Sequence, residues 1–329
     1  MRAGKLIMAM ALSVLIMSCG AGRSKAGGNN NDTMTEISGQ EVASRVPEFS
    51  ADSAFLYLKR QVEFGPRVPG SEAHVRTADW LCGELRRHGA EVMEQKAELK
   101  AFDGTVLKCR NIFGSFNPEK KERLLLLAHY DTRPWADKDP DPANHGKPID
   151  GANDGASGVA VLLETARVIG ERTPGQGIDI LFVDCEDYGD EGDEDSWALG
   201  ADYFARNPIY PGYRPEKAIL LDMVGAREAR FPAEYFSREA APELDDAFRA
   251  AAAAAGYGSM FPLVMGGGVT DDHQKLIEQG IPAIDIIDYR DTGFCPQWHT
   301  MADNIDNIDP AVLKAVGQSL VHYLYTVNN

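Results

Sequence analysis

The segment that decides the fold reads RLLLLAHYD at residues 123–131. Its unbroken apolar run is typical of a strand that is buried on both faces, as strands are in parallel sheets. His129 and Asp131 follow directly, where the chain leaves the carboxyl end of that strand. Because α/β proteins place their functional groups at this edge of the sheet, the segment predicts both a fold class and the position of a site.

Short apolar runs and helical patterns alternate along the rest of the chain. Beyond the run at 123–128, runs suited to buried strands occupy residues 178–183, 218–221 and 283–287. Helices are predicted at residues 51–64, 71–88, 156–169, 196–205, 242–255, 272–278 and 310–325. A hairpin is predicted with strands at residues 91–97 and 105–116. The pattern predicts a single α/β domain at residues 49–329, with a central, mostly parallel, twisted sheet flanked by helices.

The composition excludes several classes of protein. The chain has 329 residues, of which 44% are hydrophobic and 25% charged, as expected of a folded globular protein. Its 50 acidic and 33 basic side chains give a net charge of −17, and no Lys/Arg cluster is present, so nucleic-acid binding is not expected. The 32 glycines show no triplet repeat, which excludes a collagen-like protein.

The N-terminus is expected to be a targeting segment. Arg2 and Lys5 precede an apolar run that is too short to span a bilayer but suits the core of a signal peptide. Ser18 and Cys19 end that run and resemble the lipobox of bacterial lipoproteins. We therefore expect a signal peptide at residues 1–18 and a flexible tether at 19–48, anchored to a membrane by lipid on Cys19. This places the protein in the bacterial cell envelope, facing the periplasm; a plain secretory signal is the alternative.

The four cysteines that follow the targeting segment are Cys82, Cys109, Cys185 and Cys295. They form no CxxC pair, so a zinc site held by cysteines is not expected. A cell-envelope compartment would permit disulfides. We favour the interpretation that these cysteines are small buried apolar residues.

Polar residues follow the other predicted strands as they follow the first. Glu186 and Asp187 come after the second predicted strand, and Asp222 comes after the third. Asp154 lies in the loop GANDGASG before a helix, and His299 lies on an irregular segment after the last strand. This mixture of imidazole and carboxylate groups suits zinc, with an open position on the ion if the site is catalytic.

Each of these residues also has a purely structural interpretation. His129 could be a hydrogen-bonded core residue, and Asp154 could cap the helix that follows it. Glu186 could begin a solvated loop that continues into the acidic run at residues 190–195, where a weak calcium site is a further alternative. Asp222 closes a buried apolar run, which costs desolvation unless the acid is paired or bound to a metal. Without a metal site, a separate structural interpretation has to hold at each of five strand or loop ends. A metal site is therefore favoured.

The order of these motifs resembles the zinc aminopeptidase clan of co-catalytic metallopeptidases. Within that clan the chain looks most like the glutaminyl-peptide cyclotransferase family, and especially its bacterial members. This closer resemblance rests on two features: Trp298 directly before His299, and the Asp-Asp-His cluster at residues 271–273 after three glycines. The resemblance covers residues 49–325. It implies cyclisation of the N-terminal glutamine of peptides and proteins to pyroglutamate, with release of ammonia.

The resemblance also implies a role for each candidate site residue. It implies one zinc ion per chain, with the ligands Asp154, Asp187 and His299. It implies three catalytic carboxyl groups, with Glu186 as general acid and base and with Asp222 and Asp271 sharing protons near the reacting amide. It implies a substrate pocket lined by Trp298, Phe294 and a metal-free His129. The implied partners are peptides or proteins that begin with glutamine.

Two other functions remain open at this point. A two-zinc aminopeptidase is compatible with the sequence, because all of its ligand positions are present: His129, Asp154, Asp187, Asp222 and His299. An inactive binding or receptor-like lipoprotein on the same scaffold would be expected to have lost Glu186 or a metal ligand, and none is lost. Incubation with a peptide that begins with glutamine separates the three, by loss of ammonia, loss of a residue, or no reaction.

Overall fold

A central sheet of six strands organises the fold. The computed structural model describes residues 46–290 and 293–327. The strands are β1 (Glu91–Lys100), β2 (Val106–Phe116), β3 (Arg123–His129), β4 (Gly177–Val183), β5 (Lys217–Asp222) and β6 (Ala283–Ile287). Their order across the sheet is β1-β2-β4-β3-β5-β6, in which β4, β3, β5 and β6 are parallel and the β1–β2 hairpin is antiparallel. The predicted mostly parallel sheet is confirmed.

Eight α-helices surround this sheet within the described residues. They are α1 (Ala51–Glu63), α2 (Glu72–Arg87), α3 (Ala156–Glu171), α4 (Leu199–Arg206), α5 (Tyr235–Ala240), α6 (Pro242–Ala254), α7 (Asp272–Glu278) and α8 (Pro310–Thr326). A small hairpin of β7 (Tyr289–Arg290) and β8 (Gly293–Phe294) follows β6. All seven predicted helices are confirmed; the largest shift is in α4, because Glu194–Ser196 forms a separate 3-10 turn before it. The sequence missed α5, β7 and β8, which are too short to show a period.

The leucines of β3 are buried on both faces of the sheet. Leu124 and Leu126 pack into the main core, which α1, α2, α3, α6 and α8 also enter. Leu125 and Leu127 pack into a second apolar cluster with side chains of α4 and α7. Since successive side chains of a strand point to opposite faces, this double burial explains why the strand reads as a continuous apolar run.

Two glycines hold the start of α3 against the functional edge of the sheet. A Cβ on Gly158 would lie 2.1 Å from the backbone oxygen of Leu221 in β5, so that only glycine permits this approach. Gly155 adopts a φ of +92°, which side chains disfavour. Together the two glycines fix the loop before α3, and with it Asp154, against the ends of β3 and β5.

Several N-terminal predictions fall on residues that the structure does not describe. The signal peptide at 1–18, the anchor at Cys19 and most of the tether at 19–48 lie outside the described residues. No helix in residues 46–290 and 293–327 is long and apolar enough to cross a membrane. Within those ranges the cysteines Cys82, Cys109, Cys185 and Cys295 are buried and unbridged.

Candidate active site and metal centre

The carboxyl ends of the parallel strands open into one cavity of about 700 Å³. The segment after β4 supplies a glutamate and an aspartate, β5 ends in an aspartate, and α7 begins after another. Eight of the nine predicted site residues line the cavity: Asp154, Glu186, Asp187, Asp222, Asp271, Phe294, Trp298 and His299. The fold therefore brings together groups that are separated by up to half of the chain.

Asp154, Asp187 and His299 form a compact cluster at this edge. One ligand atom from each lies within 4.8 Å of the others. Nε2 of His299 is 3.2 Å from Oδ1 of Asp187 and 3.6 Å from Oδ2 of Asp154. Two ligand atoms that bind one zinc ion tetrahedrally at about 2.1 Å lie roughly 3.4 Å apart. The distances from His299 to the two carboxylates match that value.

Asp187 provides the test of whether a cation fits this cluster. Both of its carboxylate oxygens are buried, and neither accepts a hydrogen bond within the described part of the chain. Burial, together with the charge of Asp154, raises the pKa of Asp187. A buried carboxylate without a partner is unfavourable, and a bound cation would satisfy it. With the mixed carboxylate and imidazole donors of the cluster, the residues present fit a zinc ion.

A second group of possible ligands shares Asp154 with the first. Nε2 of His129 lies 3.0 Å from Oδ1 of Asp154 and 3.2 Å from Oδ1 of Asp222. All three ligand atoms lie within 4.8 Å of one another. Nε2 of the imidazole hydrogen-bonds the Asp222 carboxylate, whereas Nδ1 has no hydrogen-bond partner among the described residues. In the Asp187 cluster, neither carboxylate oxygen accepts a hydrogen bond, although Oδ1 lies 3.2 Å from Nε2 of His299.

His129 lies beneath the cavity rather than on its wall. The side chain is 1% exposed, and it is absent from the residues that line the cavity. Burial alone would lower the pKa of His129, but the neighbouring carboxylates of Asp131, Asp154 and Asp222 outweigh burial and raise its pKa well above the usual value. These carboxylates surround the ring of His129, and its predicted place in the substrate pocket stays a prediction.

Besides Asp187, three carboxyl groups in the cavity have raised pKa values. Burial raises the pKa of Glu186 well above its usual value, against an opposing effect of His129. Burial, with the nearby charge of Asp222, raises the pKa of Asp271 to about 7. The pKa of Asp222 is also raised by burial. A carboxyl group with a pKa of about 7, such as Asp271, can both accept and return a proton at the pH of a cell.

Two further carboxylates hold the site loops in place. Asp131 accepts hydrogen bonds from the backbone N–H groups of Glu186 and Asp187, at 3.2 Å each. Asp303 accepts them from the backbone N–H groups of Asn153 at 2.7 Å and Asp154 at 3.1 Å. Neither residue has a predicted role from the sequence. Asp131 belongs to the segment RLLLLAHYD, which the sequence already singled out. Asp303 has no motif around it, because the backbone N–H that it binds, in Asn153, lies 150 residues away in the sequence.

The turns that carry the site have an unusual backbone. Cys185, Met223 and His299 have positive φ angles of 57°, 49° and 54°. Such angles are uncommon in residues other than glycine and are concentrated at functional sites. Cys185 directly precedes Glu186, and Met223 directly follows Asp222. The chain therefore turns sharply at the points where it presents its functional side chains.

Aromatic side chains form part of the cavity wall. The rings of Trp298 and His299 stack with centroids 3.8 Å apart, and Phe294 lies 4.4 Å from Trp298. Trp197 also lines the cavity and stacks on His299 at 6.0 Å. Trp197 could not be predicted as a site residue, because it follows the acidic run and has the sequence context of a solvated loop. The apolar wall and the polar cluster thus meet at His299.

Comparisons with known proteins agree with this geometry. The family model of peptidase family M28 matches residues 111–324. The crystal structure of a glutaminyl cyclase from Porphyromonas gingivalis is 53% identical, with a TM-score of 0.82 over 84% of this chain and 98% of that chain. A leucine aminopeptidase precursor from Bacteroides thetaiotaomicron is 50% identical, with a TM-score of 0.83 over 85% and 98%. The glutaminyl-peptide cyclotransferase of Bos taurus is 26% identical over 290 residues, covering 77% of this chain and 76% of that protein.

Proposed function

Since this chain belongs to peptidase family M28, we propose that it is a zinc-dependent enzyme that cyclises the N-terminal glutamine of peptides and proteins to pyroglutamate. The similarity to glutaminyl cyclases over nearly their whole length supports this activity. One observation carries the proposal. The buried Glu186 adjoins the cluster of Asp154, Asp187 and His299 in a single cavity with an aromatic wall.

The reaction requires the α-amine of glutamine to attack its own side-chain amide carbon and to expel ammonia. Asp154, Asp187 and His299 would hold the zinc ion, which would supply Lewis-acid polarisation of the amide carbonyl. Glu186 accepts a proton from the attacking α-amine and returns it to the departing nitrogen. Asp222 and Asp271 share protons with this site, because burial raises the pKa of each.

The aromatic wall favours attack on the amide by the substrate's own α-amine over attack by water. Trp298 and Phe294 pack against the closing five-membered ring and exclude water from it. Because the nucleophile belongs to the substrate itself, holding glutamine in a folded conformation makes attack intramolecular. The cavity therefore favours cyclisation over hydrolysis.

The activity is tested with a synthetic peptide that begins with glutamine and a matched peptide that begins with leucine. Cyclisation lowers the mass of the first peptide by one ammonia and leaves the second unchanged. Release of the first residue from either peptide would instead identify an aminopeptidase. If neither peptide changes in the presence of zinc, the enzymatic proposal is wrong.

A two-zinc aminopeptidase is the second candidate, favoured by the second ligand group of His129, Asp154 and Asp222. We propose one zinc ion per chain, because Nε2 of His129, the ring atom that faces Asp154 and Asp222, already hydrogen-bonds the Asp222 carboxylate. Metal analysis of dialysed protein is expected to give about one zinc per chain. The His129→Ala variant is expected to keep that zinc and to lose only part of its activity. Two tightly held ions, with release of N-terminal residues, would favour the aminopeptidase.

We also propose that the protein is a lipoprotein of the bacterial cell envelope, facing the periplasm and anchored through Cys19. The apolar run that ends in Ser18 and Cys19 supports this location. The Cys19→Ala variant is expected to lose lipid labelling and to leave the membrane fraction, while Ser24→Ala in the tether stays in it. Membrane fractionation and lipid labelling measure both variants. If Cys19→Ala remained lipid-labelled and membrane-bound, the anchoring proposal would fail.

A further inference from the structure

Two buried thiols lie beside the site and have no role in the proposed reaction. Cys109 belongs to β2, and Cys185 follows β4 directly before Glu186. Both side chains enter one small apolar cluster with Ala101 and Leu107. Their Sγ atoms lie within 4.8 Å of each other.

The two cysteines lie just beyond the last paired residues of β2 and β4. The two strands are antiparallel, and their pairing ends at Ile112 and Phe182, three residues from Cys109 on one strand and three residues from Cys185 on the other. The side-chain carboxylate of Asp184 accepts a hydrogen bond from the backbone N–H of Arg110 at 2.6 Å and so connects the two segments beside the thiols. A disulfide brings two Sγ atoms to about 2.0 Å, so the bond closes a separation of at most 4.8 Å between these two sulfur atoms.

Asp184, which lies beside the two thiols as a possible third metal ligand, already has partners. Nε2 of His74 lies 2.8 Å from its Oδ1, and the backbone N–H groups of Arg110 and Cys185 donate to its two oxygens. A carboxylate engaged in this way does not complete a metal site for the two thiols. Cys82 and Cys295 lie in two other apolar clusters. Cys109 and Cys185 are therefore the natural partners of each other.

We propose that Cys109 and Cys185 form a disulfide when the chain folds in an oxidising compartment. Each thiol loses its hydrogen and a sulfur–sulfur bond forms. The two electrons and two protons pass to a disulfide oxidant, which is reduced to two thiols. Because Cys109 is 2% exposed and Cys185 is 0% exposed in the folded chain, the bond forms before this cluster closes. It ties β2 to the turn that carries Glu186 and Asp187.

Refolding under two redox conditions tests this bond directly. The full chain is reduced and unfolded, and is then refolded either in reduced glutathione or in a mixture of reduced and oxidised glutathione. The refolded protein is then unfolded in urea at acidic pH, its free thiols are alkylated, and the masses of the digested peptides are measured by mass spectrometry. The oxidising mixture is expected to yield a cross-linked peptide pair that contains Cys109 and Cys185. Cys82 and Cys295 are expected to be alkylated under both conditions.

A second measurement follows the effect of the bond on stability. Oxidative refolding is expected to move the urea midpoint of unfolding upward, since a cross-link restricts the unfolded chain. Cys109→Ala and Cys185→Ala should abolish this shift, and Cys82→Ala, the matched control, should keep it. The proposal is wrong if no Cys109–Cys185 peptide forms, if other cysteines cross-link equally, or if the shift survives in Cys109→Ala. None of these readouts depends on enzymatic activity.

Discussion

Replacing Glu186 by glutamine is expected to reduce kcat for cyclisation by about 10²–10⁴-fold, the usual contribution of a general acid and base. Glutamine keeps the size and the hydrogen-bonding capacity of the side chain but cannot accept the proton of the substrate amine. Glu186 is not a member of the cluster that fits zinc, so metal content and fold should remain unchanged. The loss should fall on kcat rather than on KM. Steady-state kinetics with a glutamine peptide and metal analysis of the same sample measure both.

Asp187→Asn is the matched control, because it makes the same chemical change one residue later. Oδ1 of Asp187 lies 3.2 Å from Nε2 of His299, whereas Oε2 of Glu186 lies 3.9 Å from Nδ1 of His129. Adjacent side chains of an extended chain diverge in this way. Asp187→Asn should therefore weaken metal binding, and added zinc should partly restore its activity. The roles assigned to this pair fail if Glu186→Gln loses its metal or cyclises peptides at close to the parent rate.

The part of the site that the sequence predicted depends on the parallel sheet. A strand buried on both faces must read as an apolar run, as Leu124 to Leu127 do, and its carboxyl end is then fixed to within a residue or two. Polar residues directly after such runs have to meet at one edge. Asp187 and Asp222 could therefore be placed together before any coordinates were known, and the glycine-rich loop brought Asp154 to them.

The part that the sequence could not predict depends on side-chain packing between distant segments. Asp303 stabilises the loop of Asp154 by accepting hydrogen bonds from backbone N–H groups. Because nearly every residue type has such a group, the sequence of the loop does not show that Asp303 binds it. Trp197 follows an acidic loop, and its ring lines the cavity where it stacks on the ring of His299. His129 was placed at the correct strand end, but its ring is only 1% exposed, which the sequence did not indicate. The hydrophobic pattern predicts which strand His129 follows, but it does not predict how deeply the imidazole ring is buried.

His299→Ala is expected to lose zinc and activity together, since it removes one of only three protein ligands and the only imidazole among them. Its rate should fall to that of Glu186→Gln or below, because both the polarisation of the amide and the stacking partner of Trp298 are lost. His145→Ala, at an exposed histidine, is the control for the loss of an imidazole as such. Zinc content, circular dichroism and peptide cyclisation are measured on each variant. If His299→Ala kept its zinc while His129→Ala lost it, the ion would belong to the group of His129, Asp154 and Asp222, and the proposed site would be wrong.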